Sequence, residues 1–446
     1  MPVRPSSRLA GLLLLCAGLA LRADTPALLI RHATVVDVAA GRLRPEQAVL
    51  VQGDAIVAVG DDATVASSAP TARVIDARRR FVVPGLWDMH VHALWDPVAI
   101  DTALPLLLAH GITGIRDMGG SLAVLQDVRE RAARGDLLAP RLFAAGVILD
   151  GARPVDPSIS FAIASADEGR AAVRRLAAAH VDFLKVYTLL PAAAFAAVVD
   201  EAAHVGLRVS GHVPGDVTAR EAARAGMHSI EHMQAELGTF CPTTASAAEC
   251  DSLIDEFRRR GTWQTPTLAV RRARAFSNEE TYVDDPRLAT VPRMLREQWL
   301  STRRDRVARL GAAGYARMRT EYAHEEALAR RLHDGGVLML AGSDAGADFS
   351  YWGSGLHDEL AALVAAGLTP LQALRLATTA PAAFLGRTSR VGRVGAGAPA
   401  DLVVLDGNPL EDVRALSRVH AVLASGHWLD RPRLDAMIEG ARLAAR

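Results

Sequence analysis

Apolar and polar positions alternate in two textures along the chain. Near the start, residues 26 to 83 hold short β-branched runs broken by turn residues: "ALLIRHATVVDVA", "QAVLVQGDAIVAVG" and "ARVIDARRRFVVPG". Gly53, Asp54 and Gly60 stand at turn-like points. The same texture returns in "GRVGAGAPADLVVLDGNP" and "RVHAVLASGHWL". Segments 24–83 and 390–446 are therefore expected to combine into one small β-sandwich domain built from both termini.

Between them, residues 84–389 alternate short apolar runs with alanine-rich helical stretches. "GITGIRDMG" precedes "LAVLQDVRERAARG", "DFLKVYTLL" precedes "PAAAFAAVVDEAAHVG", and "LRVSGHVP" precedes "DVTAREAARAG". The order β, α, β, α predicts parallel strands with helical crossovers. Its length fits a (β/α)8 barrel of about 250 residues or more, giving an α/β TIM-barrel fold with the β domain added. "RLFAAGVIL" reads as the third strand. Residues 271–335 are rich in Arg and Glu and helical in pattern, as expected of an insertion covering one side of the barrel mouth.

The first residues, "MPVRPSSRLAGLLLLCAGLALRADTP", place Arg4 and Arg8 before the apolar run Leu9 to Leu21, then small residues. That is the pattern of a secretory signal, here residues 1–23, and it implies a secreted or periplasmic protein. The apolar run is short for a membrane span, and no other membrane segment is apparent. Of three cysteines, Cys16 belongs to the signal, while Cys241 and Cys250 lie close together. In an exported chain such a pair reads as a local disulfide.

Composition narrows the class. The 446 residues are 50% hydrophobic and 22% charged, which suits a packed globular enzyme. Lys plus Arg equals Asp plus Glu at 50 each, so no net field invites nucleic acid. The local arginine clusters in "RRARAF" and "STRRDR" read as solvated helix faces. A small molecule or dipeptide is the expected partner; a homo-oligomer stays open.

Candidate chemistry collects at strand ends, where a barrel builds its site. In "GLWDMHVHALWD", His90 and His92 are two residues apart and share one strand face. Two neutral imidazoles there can grip one metal ion, although a surface pair has the same spacing. "VDFLKVY" ends with Lys185 and Tyr187, "LRVSGHVP" with His212, "MHSIEHM" with His232 and "GGVLMLAGSDAG" with Asp344. Each alone has a plain explanation as loop cap, turn residue or ion-pair partner. Their ordered recurrence at equivalent positions points to a metal centre. His228 shares a face with His232 but lies roughly 13 Å deeper at about 3.3 Å per residue, which suggests a supporting or core role. His110, His180 and His204 fall on helices or helix ends and take no site role.

The pieces "VVPGLWDMHVH", "GITGIRDMGG", "DFLKVY", "VSGHVP", "GMHSIEHM", "GSDAG", "GLHDEL" and "LATTAPAAFLGR" together resemble the amidohydrolase superfamily, in its imidazolonepropionase-like and prolidase-like branch. The resemblance spans nearly the whole chain after the signal. It implies two divalent metal ions, with zinc expected from the imidazole and carboxylate ligands. His90, His92 and Asp344 would hold the more buried ion, and His212 and His232 the second. Lys185, carboxylated on its amine, would bridge them, because a free ammonium is a poor ligand beside a dication. Asp344 would move the proton from metal-bound hydroxide to the leaving amine. Tyr187 would donate to the substrate carbonyl or hold a substrate carboxylate. His357 in "GLHDEL" would help shape the site without touching metal. Where many relatives carry a Gly-Gly-His-like loop this chain reads "GVILDGARPVDPSIS", leaving Arg153 and Asp156 as candidates for substrate selection.

The implied activity is hydrolysis of an amide bond in a dipeptide such as Xaa-Pro or in an N-acyl amino acid. The alternatives are a hydrolase of cyclic amides, resembling imidazolonepropionase, and a non-catalytic binding protein on the same scaffold. Lys185 disfavours the first, and the intact ligand set disfavours the second.

Overall fold

Strands from both ends of the chain share one sheet. The computed structural model describes residues 27–446 apart from 236, 237 and 389, so the expected signal and Cys16 lie outside the described residues. Leu28–Asp37, Arg42–Gln52 and Ala55–Asp61 form an antiparallel meander. Phe81–Pro84 lies parallel to the first strand and antiparallel to Leu402–Leu405, with Val82 opposite Val404. Val419–Ala424 and His427–Leu429 complete the row, and Arg73–Asp76 pairs with the first strand off the main path. Alternation buries Val35, Val49, Val82, Leu402 and Val404 on one side. The β-sandwich expectation is thus met only in part. The termini do join, but through one eight-stranded sheet, because Phe81–Pro84 bonds both the N-terminal meander and the C-terminal hairpin.

The middle of the chain is α/β with parallel strands. Leu86–Val91, Ile112–Asp117 and Arg141–Ala144 make a three-stranded sheet. Ile148–Gly151, Ser160–Ile163, Leu184–Val186, Val209–Gly211, Ser229–Glu231 and Trp263–Thr265 make a six-stranded one. The run read as one third strand is therefore split. Gly146, at φ +69°, turns the backbone between its halves, a conformation that suits a residue without Cβ. Hydrogen bonds join the sheet edges: Asp182 N donates to Ala144 O at 2.9 Å, and Leu340 N to Gln264 O at 2.9 Å. Met89 N donates to Ala341 O at 3.0 Å and Asp344 N to His90 O at 2.7 Å. Residues 338–345 thus lie between Trp263–Thr265 and Leu86–Val91.

Helices occupy the expected stretches, among them Leu122–Arg134, Ala166–Ala178, Ala192–Val205 and Ala219–Ala225. Ser and Thr caps start three of these four, and glycines in the left-handed region close three. The arginine-rich region is helical: Leu268–Phe276, two short 3-10 turns, and Arg293–Asp334, which breaks at Gly311. The Arg271 guanidinium clamps buried Glu325 and so ties the first of these helices to the last. No described helix is long and apolar enough to cross a membrane.

Candidate metal centre

Strand ends bring the expected residues together. His90 is fully buried at the end of Leu86–Val91, and His92 follows on the same face, with ring centroids 5.6 Å apart. Asp344 Oδ1 lies 3.5 Å from His90 Nε2 and 3.6 Å from His92 Nε2. Ligand atoms of these three residues all fall within 4.8 Å of one another. The His232 ring is 4.6 Å from that of His90, and the His212 ring 4.9 Å from that of His232. Gly342 permits this convergence: a Cβ there would stand 2.6 Å from His90 Cβ.

All four imidazoles are held by Nδ1. His92 Nδ1 lies 3.0 Å from Gly119 O, a carbonyl that only accepts, so Nδ1 carries the proton and Nε2 the lone pair. His232 Nδ1 lies 2.6 Å from Thr267 Oγ1, whose own proton goes to Pro266 O, so again Nδ1 donates. His90 Nδ1 lies 2.8 Å from the Glu231 carboxylate, and His212 Nδ1 2.8 Å from Thr188 Oγ1. The buried Nε2 atoms of His90 and His212 have no hydrogen-bond partner. Burial holds His90, His212 and His232 well below the ordinary imidazole range, so all three are neutral. Neutral imidazoles, oriented from behind and aimed at one space, are what a divalent metal requires.

Lys185 is fully buried in Leu184–Val186 and its Nζ has no hydrogen-bond partner. Burial pulls its pKa down to about 8. An unpaired ammonium in such a place is costly. Tyr187 stacks on the His212 ring at 4.0 Å, and burial pushes its phenol up to about 12, so it remains a donor. Burial also raises the Asp344 carboxyl. Backbone strain gathers here: His232, Met233, Thr267 and Asp344 all have φ between 52° and 61°. Such conformations persist only where surrounding contacts fix them.

The Amidohydrolase family model matches residues 81–429. The chain belongs to the Amidohydrolase family. Among solved structures, this amidohydrolase is similar to a bottromycin amidohydrolase, at 26% identity and TM-score 0.75, covering 94% of this chain and 90% of that one. It is also similar to a protein from Bifidobacterium longum described as a prolidase, at 25% identity and TM-score 0.69, covering 93% and 99%. Among curated proteins, it matches the adenine deaminase of Rubrobacter xylanophilus at 36% identity over 121 residues, 24% of this chain. That match spans only 20% of the deaminase.

Some residues of this amidohydrolase escaped the sequence reading. Glu231 is fully buried and accepts from Arg116 Nη2 at 2.7 Å as well as facing His90. Arg116 is equally buried and also donates to Met89 O, Ser229 Oγ and Thr265 Oγ1. An arginine in the apolar strand "GITGIRD" was the available signal, since a buried charge demands a partner. Asp117 accepts from the amides of Ala93, Leu94 and Gly119, fixing the loop after His92.

Other placements differ from expectation or stay outside the cluster. His357 bonds His110 O at 3.0 Å and its ring lies 5.8 Å from that of His110, so it packs between helices. It lies on Ser354–Ala365, whose inner face meets the end of Val98–Ala109. His228 contacts Arg208 and the Phe384 ring, in keeping with a core role. Arg153 and Asp156 are exposed, while Asp150, buried, anchors their loop through the amides of Val155 and Leu189. Cys241 and Cys250 are paired as a disulfide.

Proposed function

We propose that this amidohydrolase is an exported, binuclear metal-dependent hydrolase that cleaves an amide bond in a dipeptide such as Xaa-Pro or in an N-acyl amino acid. One observation carries the reading: four imidazoles, each fixed through Nδ1, converge with Asp344 and an unpartnered buried Lys185. The structural likeness to a protein described as a prolidase and to a bottromycin amidohydrolase supports the substrate class. The hydrogen bonds joining the two parallel sheets through residues 338–345 support a (β/α)8 barrel over 84–389, with 24–83 and 390–446 as the accessory domain. Export rests on the pattern of residues 1–23, and a disulfide is consistent with an oxidising compartment.

His90, His92 and Asp344 would hold one ion, and His212 and His232 a second, with Lys185 carboxylated between them. When bound, divalent ions such as zinc supply Lewis acidity to the scissile carbonyl and lower the pKa of water. Asp344 holds an oxygen beside His90 and His92, where it takes the proton of the attacking water and passes it to the leaving nitrogen. Tyr187, locked against His212, donates from its phenol to charge developing on the carbonyl oxygen. Glu231 and Thr267 keep His90 and His232 in the ligand tautomer.

The test is elemental analysis of metal-loaded protein, followed by a screen against dipeptides and N-acyl amino acids. About two ions per chain and turnover of at least one member of the screen are expected. His90→Ala should lose metal and activity with its circular dichroism unchanged. A single ion at saturation would refute the binuclear reading.

A further inference from the structure

One arginine close behind Thr267 has a single long ion pair as its partner. Helix Leu268–Phe276 begins directly after Thr267, the residue that holds His232. Thr267, Arg271 and Arg274 are spaced by four and then three residues, so they share one helix face. Helical side chains lean toward the helix N-terminus, which here is the end where Thr267 holds His232. Arg271 is committed to Glu325 through two hydrogen bonds.

Arg274 is not committed in that way. Among the described residues, its guanidinium has one ion-pair contact, Nε to Asp348 Oδ2 at 3.7 Å, and no hydrogen bond. Asp348 is already bonded by Arg306. Two guanidinium groups around one carboxylate leave a positive charge in excess. Asp348 follows Asp344 by four residues, beyond a turn in which Ala347 N donates to Asp344 O at 3.0 Å. Arg274 is thus bracketed between the support of His232 on one side and the loop of Asp344 on the other. Its side chain is 34% exposed, open to a ligand yet partly shielded from water.

We propose that Arg274 is the anion-recognition residue of this site, binding the free carboxylate of a substrate whose amide bond lies over His90, His92 and Asp344. This rests on the reading of the site as an amide hydrolase. It deepens that reading by naming what selects N-acyl amino acids and free dipeptides over uncharged amides. The planar guanidinium matches a carboxylate through two parallel N–H bonds, whereas an uncharged carboxamide offers one acceptor oxygen and no charge. Because Arg306 still holds Asp348, replacing Arg274 leaves the loop tethered.

The experiment compares metal-loaded parent, Arg274→Gln and Arg274→Lys on each turned-over substrate and its C-terminal carboxamide. The parent is expected to prefer the acid. Arg274→Gln should lose about 10- to 100-fold in kcat/KM on the acid, carried by KM, as for loss of a charged hydrogen bond. It should change little on the carboxamide, and Arg274→Lys should recover part of the loss. A parent indifferent to the carboxylate, or an Arg274→Gln variant that keeps the preference, overturns the proposal. If no amide is turned over, the hydrolase reading fails separately. Calorimetric binding of N-acetyl-L-proline to the metal-loaded proteins then decides: weakening in Arg274→Gln supports anion recognition, and unchanged binding refutes it.

Discussion

Glu231→Gln removes one charge and almost no volume, and its consequences can be worked from the structure. The carboxylate accepts from Arg116 Nη2 at 2.7 Å and Ser229 Oγ at 2.5 Å, and faces His90 Nδ1 at 2.8 Å. Glu231, Arg116 and His90 are all fully buried. At an effective dielectric near 20, opposite charges about 3 Å apart attract by ~5 kcal/mol, most of it offset by desolvation of both ions. Removing one partner strands the other, so the expected loss of stability is about 3 kcal/mol or more. The second consequence concerns metal. A glutamine can present its NH₂ to His90 and drive the imidazole into the wrong tautomer, and lost support of this kind lowers metal affinity about 10- to 100-fold. Urea unfolding of metal-free protein reads the first effect, and competition with a chelator reads the second. A stability change under about 1 kcal/mol together with unchanged metal affinity would show that the Arg116–Glu231–His90 chain does not support the centre.

Further outcomes are expected from single substitutions. Asp344→Asn should lower kcat by about 100- to 10,000-fold, as for loss of a general base, with a much smaller change in KM; near-normal turnover would assign the proton to another group. Lys185→Ala should lose metal and activity, both partly restored by short carboxylic acids, and Lys185→Arg should fail; parental activity in Lys185→Arg would make Lys185 merely structural. Glu359 is buried, accepts from Ala269 N at 2.7 Å, and is pushed by burial from 4.5 to about 8. The folded state therefore keeps its proton where the unfolded state has lost it. Stability should fall as pH rises from about 4.5 to about 8, by up to ~1.4 kcal/mol per pH unit from this group, and then level off. Glu359→Gln should flatten that slope in unfolding midpoints measured across the range; an unchanged slope would refute the assignment.

The sequence by itself determined the local architecture and the residue types at the strand ends. A period of two turns His90 and His92 to one side, and helical periods with glycine stops mark Leu122–Arg134 and Ala192–Val205. These are short-range consequences of backbone geometry, so they are legible without a partner in view. The recurrence of Lys185, His212, His232 and Asp344 was legible for the same reason, since each ends an apolar run. What holds those ligands was not. Glu231 meets His90 across 141 residues and Arg116 across 115, and Thr267 meets His232 across 35. No local pattern encodes these pairings, because they depend on which strands lie side by side and in what register. The same is true of the single sheet drawn from both termini, of the split third strand, and of His357 turning to His110. Arg274 shows the division most clearly. In sequence it belongs to an arginine cluster of the kind that usually coats a solvated helix. Only tertiary structure, by fixing Thr267 under His232 and pairing Arg274 with Asp348 beyond Asp344, places it between two supports of the site.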